Sequence, residues 1–326
     1  MKKLFALSLI FLLAIGILSF SEDPILKIPL GFPSPPIPED NQLTNSRIAL
    51  GKKLFFDKVM SRDSTLSCAT CHKPEYAFTD RLEKAVGIRN QQVSRNAPTL
   101  ANVVYLDKLL LDAVNPSLEA QVMVPIHEKN EFDFHIILVA ERMKKNPEYV
   151  KLCEDAYQSE PNPYAITHSI ACYERTLISG NSAYDQFKYQ GDSTALNSEE
   201  RRGMSLFFNE LYCASCHGGF NFSDQALTNN GLYESYADSG RIRLTGLETD
   251  RAVFRVPTLR NIAVTYPYMH DGGVESLDEV IEHYMSGGKT HPNKSSIIQP
   301  FQLTKEKKED LIAFLHSLTD SSFISH

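Results

Sequence analysis

The chain has 326 residues, 42% of them hydrophobic and 22% charged, with a formal net charge of −7. This length exceeds one small core and suits two domains of ordinary size, and the balance is that of a globular protein rather than a disordered one. The acidic balance excludes a nucleic-acid binder, which needs a basic surface, and favours small molecules or a partner with a positive docking patch.

Met1-Lys2-Lys3 is a short basic lead, and Leu4 to Phe20 is an almost unbroken apolar run ending at the small residue Ser21. The pattern reads as a secretory signal over 1–21, placing the mature protein in the bacterial periplasm. An uncleaved N-terminal anchor is the alternative, because the run is nearly long enough to span a bilayer. Residues 22–44 form a lead containing Phe32-Pro33-Ser34-Pro35-Pro36-Ile37-Pro38, which is expected to run extended over the surface. From Asn45 the pattern is helical. Phe134 to Met143 is apolar on one side, Pro147 opens a second helix, and Pro161-Asn162-Pro163 separates that from a third expected to end at Ser179-Gly180. Asn197-Ser198-Glu199-Glu200 and Ser276-Leu277-Asp278-Glu279 have capping-box spacing and mark two further helix starts. Strand signals are sparse, so the expected fold is mainly α with long loops.

An internal repeat sets the domain plan. Gly51-Lys52-Lys53-Leu54-Phe55-Phe56 precedes Cys68, and Gly203-Met204-Ser205-Leu206-Phe207-Phe208 precedes Cys213. Two copies of one unit account for this most simply, with domains over 45–185 and 186–326.

Each copy leads into the same motif: Cys68-Ala69-Thr70-Cys71-His72 and Cys213-Ala214-Ser215-Cys216-His217. C-x-x-C-H suits c-type haem, since two thiols add across the vinyl groups and the adjacent imidazole reaches the iron. The expectation is therefore two covalent haem c groups on Cys68, Cys71, Cys213 and Cys216, with His72 and His217 as proximal ligands. A Cys₄ zinc site or a pair of redox dithiols is the rival. Chance alone would give the motif about 0.003 times in a chain of this cysteine and histidine content.

Around these motifs lie Leu50-Gly51-Lys52-Lys53-Leu54-Phe55-Phe56-Asp57, Arg95-Asn96-Ala97-Pro98-Thr99-Leu100, Phe254-Arg255-Val256-Pro257-Thr258-Leu259-Arg260-Asn261 and Tyr266-Pro267-Tyr268-Met269-His270-Asp271-Gly272-Gly273. Over essentially the whole mature chain the sequence resembles the bacterial di-haem cytochrome c peroxidase and MauG family. The resemblance implies two cytochrome-c-like helical domains packed across a shared interface, a haem in each, and calcium between them. It implies that peroxide reacts at the N-terminal haem beneath a Gln and a Glu ten residues apart, here Gln121 and Glu131, with Pro125 six before the Glu. Such a carboxylate can carry a proton between the two peroxide oxygens; a solvated helix surface is the rival reading. It also implies calcium ligation by Asn96 and by the carbonyls of Thr265 and Pro267, against which stands a generic turn.

Three departures matter. The family histidine sixteen residues after the proximal histidine is here Ile88, which cannot ligate iron. The family tryptophan ten residues before the Gln is Leu111, and the chain has no Trp at all. Fourteen residues after His270 stands Tyr284, where methionine is one family ligand and tyrosine the ligand of MauG-type members. Tyr284 shares a helical face with Leu277 and Ile281, while Met285 points about 100° away.

Cys153 and Cys172 are expected as two buried thiols, a disulfide being the alternative. The expected function is a di-haem peroxidase that reduces hydrogen peroxide at the N-terminal haem with electrons passed through the C-terminal haem from a small periplasmic donor such as a cytochrome c or cupredoxin; a MauG-like oxidase acting on a protein substrate and a non-catalytic electron carrier are the alternatives. Homodimerisation is compatible with each.

Overall fold

The computed structural model describes residues 25–325, so the expected signal over 1–21 lies outside the described residues. The fold is mainly helical. The helices are α1 (Asn45–Phe56), α2 (Cys68–Cys71), α3 (Leu118–His127), α4 (Ile136–Met143), α5 (Pro147–Tyr157), α6 (Pro163–Glu174), α7 (Ala183–Tyr189), α8 (Ser198–Ser205), α9 (Ile242–Thr245), α10 (Leu277–Met285), α11 (Lys305–His316) and α12 (Ser321–Ile324). Two short strands, β1 (Leu227–Thr228) and β2 (Phe254–Arg255), pair antiparallel. Among the described residues no helix is long and apolar enough to cross a membrane.

The helix starts follow from local chemistry. Asn146 caps α5 and Asn162 caps α6, each followed by a proline at the first helical position, where its missing N–H costs nothing. Reciprocal capping boxes open α8 at Asn197–Glu200 and α10 at Ser276–Glu279. One end differs from expectation: α6 stops at Glu174 instead of running to Ser179. Beyond it the Leu177 carbonyl and the Ser179 N–H are taken by Asn102, at 2.8 and 2.9 Å, which pulls that stretch out of helical geometry.

The repeat is visible in three dimensions. In the first copy α1 crosses α6 at Gly51, where a Cβ would stand 1.9 Å from the Ser169 carbonyl; in the second α8 crosses α11 at Gly203, where it would stand 1.9 Å from the Asp310 carbonyl. Only glycine permits either crossing. Each pair encloses a core, one around Leu50, Leu54, Phe55, Phe78, Met143 and Ile166, the other around Phe207, Phe222, Ile281, Phe314 and Leu318. The copies share a further device that local sequence reading missed. The Thr99 hydroxyl donates to the Ala77 carbonyl (2.5 Å) and Thr258 to that of Asn221 (2.6 Å), and the following Asn102 and Asn261 both adopt φ of 61°.

Buried polar groups tie the copies together. The Asn102 amide donates to Asn221 Oδ1 at 3.0 Å, and Asp320 accepts from the N–H groups of Gly180 and Asn181 at 3.0 and 2.9 Å. On the side of the second core, which also takes in Tyr184, Arg260 and Asp185 form a bidentate pair at 2.8 and 2.9 Å with neither side chain exposed. The Pro-rich lead is extended, but it is pinned rather than merely lying on the surface. The Phe32 ring packs edge-on to Phe220 at 4.8 Å, beneath the Arg260 guanidinium, and Tyr105 donates its hydroxyl to the Pro33 carbonyl at 3.0 Å. The lead thus touches both copies.

Candidate haem sites

Ser67 and Thr70 form the capping box that starts α2, so Cys68 and Cys71 sit one turn apart and His72 leaves the helix as its C-cap. His72 Nδ1 lies 2.8 Å from the Phe78 carbonyl. With the proton on Nδ1 donating there, Nε2 is left for a metal, the usual arrangement of a ligating histidine. Burial lowers the pKa of His72 and keeps the ring neutral, as ligation requires. His217 repeats the pattern with Nδ1 3.3 Å from the Phe222 carbonyl. All six cysteines are free, Cys153 and Cys172 being buried single thiols. Desolvation drives Cys68 upward and Cys71 up to about 12. That is opposite to what a redox dithiol needs. Among the described residues no cluster of three or more His, Cys, Asp or Glu is placed for a metal ion, which removes the Cys₄ zinc alternative. Two thiols and a free imidazole nitrogen at each motif fit covalent haem.

Beside the first motif, α3 carries Gln121 and, within the helix, Pro125. Asn115 donates its amide to Gln121 Oε1, leaving the Gln121 amide N–H groups for another acceptor. Past the end of α3 the chain turns back, with Phe132 N–H on the Pro125 carbonyl at 3.0 Å, and Glu131 sits in that turn. Buried Ile88 donates its backbone N–H to the Glu131 carbonyl at 3.0 Å, while Arg62 pairs with Asp133 at 3.0 Å and Arg89 also pairs with it. Desolvation, helped by the Glu128 charge, pushes the Glu131 carboxyl up to about 7. Its charge reaches both Cys68 and Cys71. The site thus couples Ile88, Glu131 and the first haem motif through one packed turn.

The second motif opens on a mostly apolar cavity of about 340 Å³ whose wall includes Cys213, Cys216, His217, Met269 and Tyr284. Leu277, Ile281 and Tyr284 line it together, as the helical periodicity predicts, whereas Met285 is not on the wall. Burial raises the Tyr284 phenol pKa and the facing Asn230 amide pulls it back. Asn230 is itself fixed: His283 Nε2 lies 3.1 Å from its carbonyl, and its amide donates to Met269 Sδ at 3.3 Å. Asn96, Thr265 and Pro267 share this wall, and so does Leu111. The Asn96 amide donates to the Leu82 carbonyl at 2.8 Å, which turns Oδ1 away from that contact. Arg255 also lines the cavity, and sequence reading passed over it; the available signal was a charge inside the apolar stretch Val253 to Val256.

The two sites are variants of one plan. Serine N-caps α3 (Ser117) and α10 (Ser276), and each is preceded by an isolated antiparallel bridge, Leu109–Asn115 or Tyr268–Val274. Eight residues beyond each cap stand Pro125 and Tyr284. The same helical position therefore carries an inert ring in one copy and a phenol in the other.

Residues 45–194 match the model of the di-haem cytochrome c peroxidase family, and residues 200–319 that of cytochrome c. The methylamine utilization protein MauG of Methylorubrum extorquens is 37% identical over 87% of this chain and 81% of its own length. The chain belongs to the di-haem peroxidase and MauG family. It is accordingly a peroxidase-type haem oxidoreductase with two haem c groups. Cytochrome c551 peroxidase of Pseudomonas aeruginosa is 32% identical over 87% of this chain and 83% of its own length. Among solved structures, a MauG-like protein associated with microbial copper homeostasis superposes with a TM-score of 0.86 at 32% identity, covering 91% of this chain and 96% of that one.

Proposed function

We propose that this protein is a peroxidase that reduces hydrogen peroxide at the N-terminal haem, over 45–185, with the C-terminal haem, over 186–326, relaying electrons from an external donor. The observation that carries this reading is the asymmetry between the equivalent helices α3 and α10: Pro125 offers no ligand in the first copy, where the separate turn at Ile88 adds none, while Tyr284 offers one in the second.

The thiols of Cys68 and Cys71 would anchor one haem and those of Cys213 and Cys216 the other, with His72 and His217 holding the irons through Nε2. A haem held there would supply the electrons that peroxide reduction consumes, to be replenished by the donor. Glu131 would accept a proton from peroxide and give it back to the oxygen that departs as water, the other oxygen also leaving as water once two electrons and two further protons have been supplied. A carboxyl near pKa 7 is suited to both transfers at neutral pH. Gln121, with its amide N–H groups unclaimed by Asn115, holds the peroxide in line. Tyr284 would hold the second haem's iron through its phenol oxygen, a hard anionic donor that favours higher oxidation states.

That last property favours a second reading, a MauG-like oxidase that uses peroxide to oxidise another protein. In either case the partner is a small cytochrome c or cupredoxin, or a protein substrate, met in the periplasm after removal of 1–21. Calcium held by Asn96, Thr265 and Pro267 would brace the junction of the two copies. Single-turnover mixing with peroxide, followed by candidate donors, tests the proposal: donor oxidation with two electrons per peroxide supports the peroxidase, and absence of any reaction with peroxide refutes it.

A further inference from the structure

Among the described residues lining the cavity at the second motif, Arg255 is the only Lys, Arg, Asp or Glu side chain. It is 7% exposed. Its backbone is secured, with N–H on the Leu111 carbonyl at 2.6 Å, and its Nε reaches only the Leu110 carbonyl, at 3.4 Å. Among the described residues neither Nη group has a hydrogen-bond acceptor and no carboxylate pairs with it. Asp112, the acidic residue on the same loop as Leu111, is already taken by Arg95 at 2.9 Å and by Arg243. Desolvation alone lowers the Arg255 pKa, to about 10, with no opposing charge to restore it.

A guanidinium buried without an anion is costly, and such groups persist in folded proteins when a partner charge completes them. The other walls of the cavity carry uncharged side chains, the two cysteines and histidine of the haem motif, and His270, which burial holds toward its neutral form. An anion that enters this cavity therefore meets one cation, on a planar fork that matches a carboxylate.

We propose that Arg255 is the counter-cation for a propionate carboxylate of the C-terminal haem, and so a positioning residue that sets that haem's redox balance. The proposal rests on the reading that Cys213, Cys216 and His217 hold a haem, but not on which haem meets peroxide. Fixing a positive charge beside the haem edge favours the electron-rich ferrous state. In the second copy this charge opposes the pull of Tyr284 toward the ferric state, which keeps the haem within reach of a donor. Phe254, next to Arg255 in β2, stacks on His270 at 4.2 Å, so the strand that carries the guanidinium is held rigidly.

The test uses the holoprotein with both haems attached. Arg255→Gln removes the charge and keeps a polar side chain; Arg255→Lys keeps the charge and loses the fork. At a fixed applied potential near the midpoint, Arg255→Gln should lower the reduced-to-oxidised ratio of the C-terminal haem about tenfold, a shift of about 59 mV for one electron. Arg255→Lys should recover most of that ratio. The resonance Raman bending mode of the haem propionates should change in both variants, because each alters the hydrogen bonding of the carboxylate. An unchanged ratio in Arg255→Gln overturns the proposal, as does an unchanged propionate mode in Arg255→Lys, which also decides the matter if the Gln variant does not fold. Loss of the underlying reading would look different: mass spectrometry of the unmodified protein would find no haem on Cys213 and Cys216.

Discussion

Replacing Glu131 by Gln keeps the size and most hydrogen bonding of the side chain and removes its proton. Ile88 N–H holds the Glu131 backbone carbonyl in the turn after α3, and burial, helped by the Glu128 charge, pushes the side-chain carboxyl up to about 7. Positioned acid–base groups contribute about 10²–10⁴ in rate, equivalent to about 2.7–5.5 kcal/mol of barrier at 1.36 kcal/mol per decade. Because the first transfer needs the ionised form, the peroxide step in the parent should rise with pH, with about one-tenth of the carboxyl ionised at pH 6, half at pH 7 and nine-tenths at pH 8. Stopped-flow mixing of the oxidised protein with peroxide, read in the haem absorption, measures this directly. Glu131→Gln should be slower by about 10²–10⁴ and flat with pH. The linkage to folding has a definite sign. A carboxyl raised above its unfolded value favours the folded state below about 4.5 and loses that contribution as pH climbs through about 7. Stability should therefore fall over that window in the parent and not in the variant. A peroxide step within about threefold of the parent in Glu131→Gln would refute the assignment.

Three other outcomes follow from the same architecture. Tyr284→Phe should change the spectrum of the C-terminal haem and raise its potential, while Met285→Leu should do little; spectroelectrochemistry separates them, and the opposite pattern would contradict the cavity geometry. Arg260→Met leaves Asp185 buried without its partner and should cost about 3–5 kcal/mol in denaturant unfolding; a loss below about 1 kcal/mol would show that this buried pair is dispensable. Chelation should release one calcium per chain, measured by atomic spectroscopy, and loosen the junction near Asn96; unchanged metal content and turnover would remove the calcium assignment.

Much of this was legible in the chain. The two C-x-x-C-H motifs, the proline and Asn caps of α5 and α6, and the capping boxes of α8 and α10 are local signals, and local chemistry decides them. The face shared by Leu277, Ile281 and Tyr284 was likewise readable, because helical periodicity survives packing. What sequence reading missed was settled by distant partners. α6 ended early because Asn102, 77 residues away in sequence from Ser179, claims the backbone beyond it. Phe32 is half-buried because Phe220 and Arg260 pack against its ring, and nothing near Phe32 announces either. The match between Pro125 and Tyr284 emerged only once the bridges Leu109–Asn115 and Tyr268–Val274 gave the two helices a common origin. Arg255 stood in plain sight inside the stretch Phe254 to Asn261, but only the absence of a partner carboxylate in three dimensions marks it as a candidate for a bound anion.

The central claim is that one haem is open and the other closed, and low-temperature electron paramagnetic resonance of the resting ferric protein tests it most directly. The account predicts one high-spin and one low-spin haem in equal amounts, with added cyanide converting the high-spin signal alone. Two low-spin haems that ignore cyanide would contradict it.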